Sequence, residues 1–239
     1  MTQSSPQIGF DRFINRDWVS AALRVRAGVS EMTELNELID ASHSGASAKK
    51  KTRTVLNRLW LEPRLELVDF ADRGVQIYRD APNTSVAVLG WGMAIATYPF
   101  FGRVAEIVGR LTALQGDCAS AEVHRRMSEI YGEREGTRRM TNMVLQSQEN
   151  WGVVERSKNG KRLVRKAKIE VVEKSVIAWL VEACLRYVGR PISLPTIEFL
   201  PVIYPFKLHN QLSLVLANIP ALEIISENYS RQKISIKSQ

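Results

Sequence analysis

Residues 81–102 form the longest stretch of the sequence without a charged side chain. Its strongly apolar part, residues 86–101, is shorter than the roughly 20 residues that a membrane-spanning helix needs. Gly90, Gly92 and Pro99 also interrupt it. We therefore predict a buried central helix around which the rest of the chain packs, and we do not expect a membrane partner.

The composition is that of a folded, basic protein. The chain has 239 residues, of which 45% are hydrophobic, and its formal net charge is +8. An excess of cationic side chains favours a polyanionic partner, with a merely solvated basic surface as the alternative. Cys118 and Cys184 follow no metal-binding or disulfide pattern, and residues 1–10 lack the features of a signal peptide. These features favour a cytoplasmic protein without a cofactor or a bound metal.

The periodicity of apolar residues predicts a mainly α fold with three regions. Residues 9–74 resemble an N-terminal helix-turn-helix-like bundle, and residues 75–116 resemble a central buried scaffold. Residues 117–239 are predicted to form a C-terminal winged helix-turn-helix, followed by closing helices and a hairpin.

In the first region, Asp17 is predicted to cap a helix, and Ser30 to open a second one. Ser47 is then predicted to cap a basic helix over residues 48–61. Four basic residues near the start of that helix are candidate DNA contacts: Lys49, Lys50, Lys51 and Arg53. A plain helical bundle with one solvated basic face explains them equally well.

Residues 120–168 carry the most specific pattern. A short helix with Val123, Met127 and Ile130 inward should end at Gly132. Thr137 is predicted to cap a second helix that continues to residue 150 and stops at Gly152.

A hairpin is predicted directly after the second helix. Asn159-Gly160 is the preferred pair for a two-residue type I′ turn, and apolar residues flank it on both sides. Helix, turn, helix and hairpin occur in this order in a winged helix-turn-helix.

Charge is concentrated in the same segment. Residues 134–168 contain ten basic and three acidic side chains, which is +7 of the total +8. The second helix presents Arg138, Asn142 and Gln146 on one face, with Arg139 beside them. Arginine can pair with guanine, and asparagine or glutamine with adenine, in the major groove.

Basic residues of the hairpin are candidate phosphate contacts, which add affinity but little sequence information. They are Arg156, Lys158, Lys161, Arg162 and Arg165. A winged helix that binds another protein instead of DNA remains the alternative.

Closing elements are predicted for the end of the chain. We expect a long helix over residues 169–188, with Val172 and Val176 inward, and a short helix over residues 209–217. A final hairpin is expected from strands at residues 222–226 and 233–236.

Several short motifs resemble those of one protein family. They are TYPFF from Thr97, GER from Gly132, WGVV from Trp151, IYPFKL from Ile203 and LEII from Leu222. With them the chain, from about residue 18 to residue 236, resembles the BrxA family, small accessory proteins of bacterial BREX phage-defence systems. The resemblance implies a mostly helical protein that binds double-stranded DNA without catalysis, with other BREX proteins as candidate partners.

These patterns together predict a non-enzymatic protein that binds double-stranded DNA. We find no phosphate-binding glycine loop, zinc-protease motif or nucleophile elbow in the sequence. The alternatives are a sequence-specific transcriptional regulator and a winged-helix adaptor that binds other proteins of a defence complex.

Overall fold

The computed structural model describes residues 9–81, 84, 86–209, 211–217, 219–226 and 232–237. The prediction of a mainly helical protein with small sheets is confirmed. The α-helices are α1 (Arg16–Arg26), α2 (Met32–Ser42), α3 (Ala46–Leu56), α4 (Val68–Asp80), α5 (Val86–Thr97), α6 (Pro99–Leu111), α7 (Ser120–Tyr131), α8 (Glu135–Asn150), α9 (Lys174–Val188) and α10 (Leu212–Leu216). The strands are β1 (Asp117–Ala119), β2 (Val154–Arg156), β3 (Arg162–Arg165), β4 (Ile169–Val171), β5 (Ile192–Ser193), β6 (Phe206–Leu208), β7 (Leu222–Ser226) and β8 (Gln232–Ile236).

The N-terminal helices begin slightly earlier or later than the sequence predicted. Asn15, not Asp17, caps α1, because its side-chain oxygen accepts the backbone N–H of Asp17. Helix α2 begins at Met32, and α3 begins at Ala46, before the predicted cap Ser47. A π-helical turn, Asn57–Leu61, continues α3 in place of regular α-helix.

The apolar part of the uncharged segment, residues 86–101, lies in the core, as predicted, but it forms parts of two helices. Helix α5 ends before Tyr98, and Pro99 occupies the first turn of α6, where its missing N–H costs nothing. Trp91 is fully buried, and its indole N–H donates to the carbonyl of Val202 at 2.9 Å. Among the described residues, no helix is both long enough and apolar enough to cross a membrane.

Glycines let neighbouring elements approach the central helices closely. A Cβ atom on Gly92 would lie 2.2 Å from Cζ3 of Trp179 on α9, and one on Gly102 would lie 2.3 Å from Cε2 of Tyr187. Side chains at these two positions would therefore collide with aromatic rings of the core.

Helices α7 and α8 pack on each other and on α6. Gly132 ends α7 with a φ of 88°, and Gly152 follows α8 with a φ of 80°, as the sequence indicated. Two details of the prediction are wrong. Ile130 is 45% exposed and Tyr131 is buried in its place, while Thr137 is buried within α8 instead of capping it.

A three-stranded antiparallel sheet accompanies this helix pair, in the order β1-β3-β2. Strand β1 precedes α7, and β2 and β3 follow α8 as a hairpin. The predicted two-residue turn at Asn159-Gly160 is shifted by one residue. The N–H of Gly160 donates to the carbonyl of Ser157, which centres the turn on Lys158 and Asn159, and Gly160 adopts a φ of 69°.

The C-terminal region departs from prediction at its start. Residues 169–171 form β4, parallel to β6, instead of the first turn of a long helix, and Val172 is 55% exposed. Helix α9 begins only at Lys174. The C-terminal hairpin is confirmed, since β7 pairs antiparallel with β8, which also pairs with β5.

Candidate nucleic-acid interface

Helix α8 is the centre of the candidate interface, and its C-terminal end is fixed from a distant part of the chain. The hydroxyl of Ser147 accepts the backbone N–H of Ile14 at 2.9 Å. The indole N–H of Trp151 donates to the carbonyl of Ile14 at 2.9 Å, and Asn150 accepts the N–H of Arg16 at 2.7 Å. Val144 and Leu145 are fully buried. The orientation of α8 is therefore set by the core and by the segment before α1.

The N-terminal half of α8 presents cations without counter-ions. Arg134, Arg138 and Arg139 are exposed, and none of them forms an ion pair with any described carboxylate. The arginines of the neighbouring helix α7 differ, because Arg125 and Arg126 both pair with Glu122. Positive charge is thus neutralised on α7 and available on α8.

Asn142 lies one turn further along α8 and is not free. Its side-chain oxygen accepts Nη2 of Arg156 at 2.9 Å. Arg156 in turn pairs with Glu149, whose Oε2 lies 3.2 Å from Nε. The structure therefore brings together Asn142 on α8 and Arg156 on β2, two side chains that the sequence singled out separately. Gln146 is half-buried on the next turn.

A shallow depression between α7 and α8 is lined by polar side chains of both helices. Its residues are His124, Glu135, Arg138, Arg139 and Asn142. His124 was not predicted as part of the site, and its Nδ1 is buried without a hydrogen-bond partner among the described residues. Burial, followed by the nearby charges of Arg138 and Arg156, lowers the pKa of His124.

The hairpin tip holds two further free cations. Lys158 and Lys161 are exposed, and neither pairs with a carboxylate in the part of the chain that the structure describes. Asn159 organises the tip, because its side-chain oxygen accepts the hydroxyl of Ser157 at 2.7 Å and the N–H of Lys161 at 3.1 Å.

The two arginines of β3 are engaged within the protein. Arg162 makes two hydrogen bonds of 2.6 Å to Asp117 of β1. Arg165 lies over the ring of Tyr204, 5.1 Å from the centroid, and donates to the Tyr204 carbonyl at 3.0 Å. Burial lowers the pKa of Arg165. Both side chains already have partners that a phosphate would have to replace.

The basic residues of α3 belong to a separate surface. Lys49 lies 3.1 Å from Asp40, and Arg53 lies 3.6 Å from the same carboxylate oxygen, whereas Lys50 and Lys51 are exposed. Helix α3 packs against α1, α2 and the π-helical turn, while α8 packs against α6, α7 and β2.

Sequence reasoning missed the partners of the site rather than its cations. A single histidine in an amphipathic helix does not indicate which residues of a neighbouring helix it will contact, so the position of His124 beside α8 could not be predicted. The ion pairs of Glu149 with Arg156 and of Asp117 with Arg162 can be identified only when the positions of β2 and β3 are known.

Comparison of the chain with protein-family models, with curated protein sequences and with solved structures finds no match.

Proposed function

We propose that residues 99–165 form a winged helix-turn-helix that binds double-stranded DNA. The order α6, β1, α7, α8, β2, β3 supports this proposal, as does the sheet order β1-β3-β2, in which the strand before the helix pair joins the hairpin after it. In such a unit the second helix of the pair enters the major groove by its N-terminal half. Here that helix is α8.

The observation that carries the proposal is the distribution of unpaired cations. Arg138 and Arg139 stand on the N-terminal half of α8, and Lys158 and Lys161 stand at the hairpin tip. Arginines on the helix can reach base edges and phosphates in the groove, while lysines at the tip suit the phosphates beside it. The arginines of α7 and β3 already have partners within the protein.

Fluorescence anisotropy with a labelled duplex at several salt concentrations tests the proposal. We expect salt-dependent binding, and the double variant Arg138→Ala/Arg139→Ala should reduce the slope of log K against log salt by about 0.9 for each phosphate that it no longer neutralises. A matched control is Arg64→Ala/Arg190→Ala, which removes two exposed arginines away from α8. The control should retain the wild-type slope.

Absence of duplex binding by the wild-type protein at low salt would overturn the proposal. Equal loss of affinity in the α8 variant and in the control would also count against it, because it would show that only net charge matters.

We further propose that the chain acts as a cytoplasmic, non-enzymatic accessory component of a BREX phage-defence system. The support for this role is the resemblance of its motifs to those of the BrxA family. Four of these five motifs contain core residues. Trp91 packs against Phe101 of the first, at 5.1 Å between ring centroids, and against Tyr204 of the fourth, at 5.6 Å. Affinity purification from a host that carries such a system should recover other BREX proteins. Their recovery after nuclease treatment, and with Arg138→Glu, would identify a protein-protein role instead of one mediated by DNA.

A further inference from the structure

The contact between Arg156 and Asn142 fixes which end of the Asn142 amide faces outward. A guanidinium has only donors, so the Asn142 atom 2.9 Å from Nη2 is the carbonyl oxygen. Arg156 is itself held by Glu149, whose Oε1 accepts its backbone N–H and whose Oε2 accepts its Nε, both at 3.2 Å. The amide orientation is thus set by a chain of three side chains.

The exposed group that remains on Asn142 is its NH₂, which only donates. The two-bond contact that asparagine makes with adenine needs both amide atoms, because adenine offers the acceptor N7 beside the donor N6. The Asn142 oxygen has two lone pairs, but one already accepts Nη2 of Arg156, and the guanidinium charge beside it disfavours a second donor such as N6. Guanine instead offers two adjacent acceptors, N7 and O6, in the major groove.

We propose that Asn142 is a specificity-determining residue that selects guanine over adenine, with Arg156 as the positioning residue that enforces this choice. The inference rests on the proposed binding of duplex DNA by α8. It replaces the adenine contact that the residue type alone suggested.

Two neighbours extend the same preference. Arg138 precedes Asn142 by four residues, or about 6 Å along the helix, which is roughly two base steps of 3.4 Å. Arginine also pairs with guanine through N7 and O6. Glu135 lines the same depression and supplies an acceptor suited to N4 of cytosine, the partner of guanine on the opposite strand. The α8 face therefore fits a site with two G·C pairs about two steps apart.

The experiment is selection of bound sequences from a library of short duplexes with a randomised centre, using the full chain. We expect enrichment of two G·C pairs, and Asn142→Ala should abolish the preference at one of them, which identifies the position that Asn142 contacts. At that position, a duplex with guanine should bind about tenfold more tightly than one with adenine. Replacing that guanine with 7-deazaguanine, which lacks the N7 acceptor, should remove much of this advantage.

Arg156→Met tests the positioning role, because it releases the Asn142 amide to rotate. The ratio of affinities for guanine and adenine should fall to within about twofold. Lys161→Met is the matched control, since it also replaces one basic side chain of the hairpin with methionine. It should weaken both duplexes alike and leave the ratio unchanged. Circular dichroism of each variant confirms that it is folded.

Asn142→Asp supplies a second test that does not depend on loss of function. Its carboxylate keeps the pairing with Arg156 but turns an acceptor outward, so the preference should shift from guanine to cytosine or adenine, which offer donors.

Four outcomes bear on this inference and on the proposed function. Preference of the wild type for adenine at the Asn142 position, or a retained guanine preference in Arg156→Met, overturns the inference. Equal, salt-dependent binding to all sequences also overturns it but leaves the proposed DNA binding intact. Absence of duplex binding overturns both.

Discussion

Arg162 of β3 and Asp117 of β1 form an ion pair with two hydrogen bonds. It joins the strand that precedes α7 to the second strand of the hairpin that follows α8. Nε and Nη2 of the arginine each lie 2.6 Å from a carboxylate oxygen. The hydrogen bonds from Arg162 hold the pKa of Asp117 below its usual value. Asp117 therefore neutralises Arg162, which the sequence predicted as a phosphate contact.

Removing this carboxylate should strengthen DNA binding. Asp117→Asn releases the Arg162 guanidinium and removes a negative charge near the hairpin, so we expect tighter binding by a few fold and a salt slope steeper by about one phosphate contact. Anisotropy titration at several salt concentrations measures both. Asp69→Asn, at an exposed position of α4, is the control and should change neither. Unchanged affinity in Asp117→Asn would show that Arg162 does not reach the duplex.

Among the charged residues that the structure describes, Glu182 should be the one whose substitution lowers stability most. It is 1% exposed on α9, and it accepts hydrogen bonds of 2.6 and 2.7 Å from Arg73 of α4 and of 2.7 and 3.0 Å from Arg186. Glu182→Gln leaves two arginines without their shared carboxylate, and we expect the free energy of unfolding to fall by about 2–3 kcal/mol in urea denaturation. Glu129→Gln breaks the exposed pair with Arg125 and should cost less than about 1 kcal/mol. Equal losses of unfolding free energy in the two variants would show that the burial of Glu182 does not make its ion pairs more important for stability.

Two glycine-to-alanine substitutions within helices should act in opposite directions. Gly92→Ala places a methyl group 2.2 Å from a ring carbon of Trp179, which forces the core apart, and a loss of about 3 kcal/mol or failure to fold is expected. At Gly136 in α8, a Cβ atom would have no heavy atom of another element within 4 Å, so Gly136→Ala should stabilise by about 0.4–1 kcal/mol. Thermal melting distinguishes the two, and a melting temperature lowered by Gly136→Ala would contradict the second expectation.

Stability should fall as the pH drops from neutral through the usual histidine pKa of 6.5, in part because of His124. Burial, Arg138 and Arg156 lower the pKa of His124 in the folded protein, so the unfolded chain binds a proton at a higher pH than the folded protein does. Protonation therefore favours unfolding in this window. His124→Gln cannot titrate, and its unfolding free energy should decline less between neutral pH and about pH 5.5 than that of the wild type. Identical declines would exclude this contribution.

Local sequence signals located the C-terminal ends of α7 and α8 better than they identified the buried residues of these helices. Gly132 and Gly152 were predicted correctly as stops because a positive φ is a local property of the backbone. The choice of Tyr131 over Ile130 for the core depends on a distant partner, since the Tyr131 ring packs edge-on against Phe100 of α6, 4.7 Å between centroids.

Strands that need a remote partner were the least predictable. Residues 169–171 continue the helical periodicity of α9, but they pair in parallel with Phe206–Leu208. The same limit applies to the candidate site. Arg165 was selected for its charge, whereas its partner Tyr204 lies 39 residues away along the chain. Helix α8 and its exposed arginines needed only local periodicity and were predicted from it.

The hydrogen bonds between Ile14 and the end of α8 determine whether this helix can be transferred to another protein. Grafting residues 99–165 onto another protein would leave the hydroxyl of Ser147 and the indole N–H of Trp151 without the Ile14 peptide groups that they use here. Each would then need a replacement partner within an apolar environment. The position of the helix proposed to bind DNA therefore depends on a distant part of the chain. A protein engineered to contain α8 would also have to include the backbone segment that precedes α1.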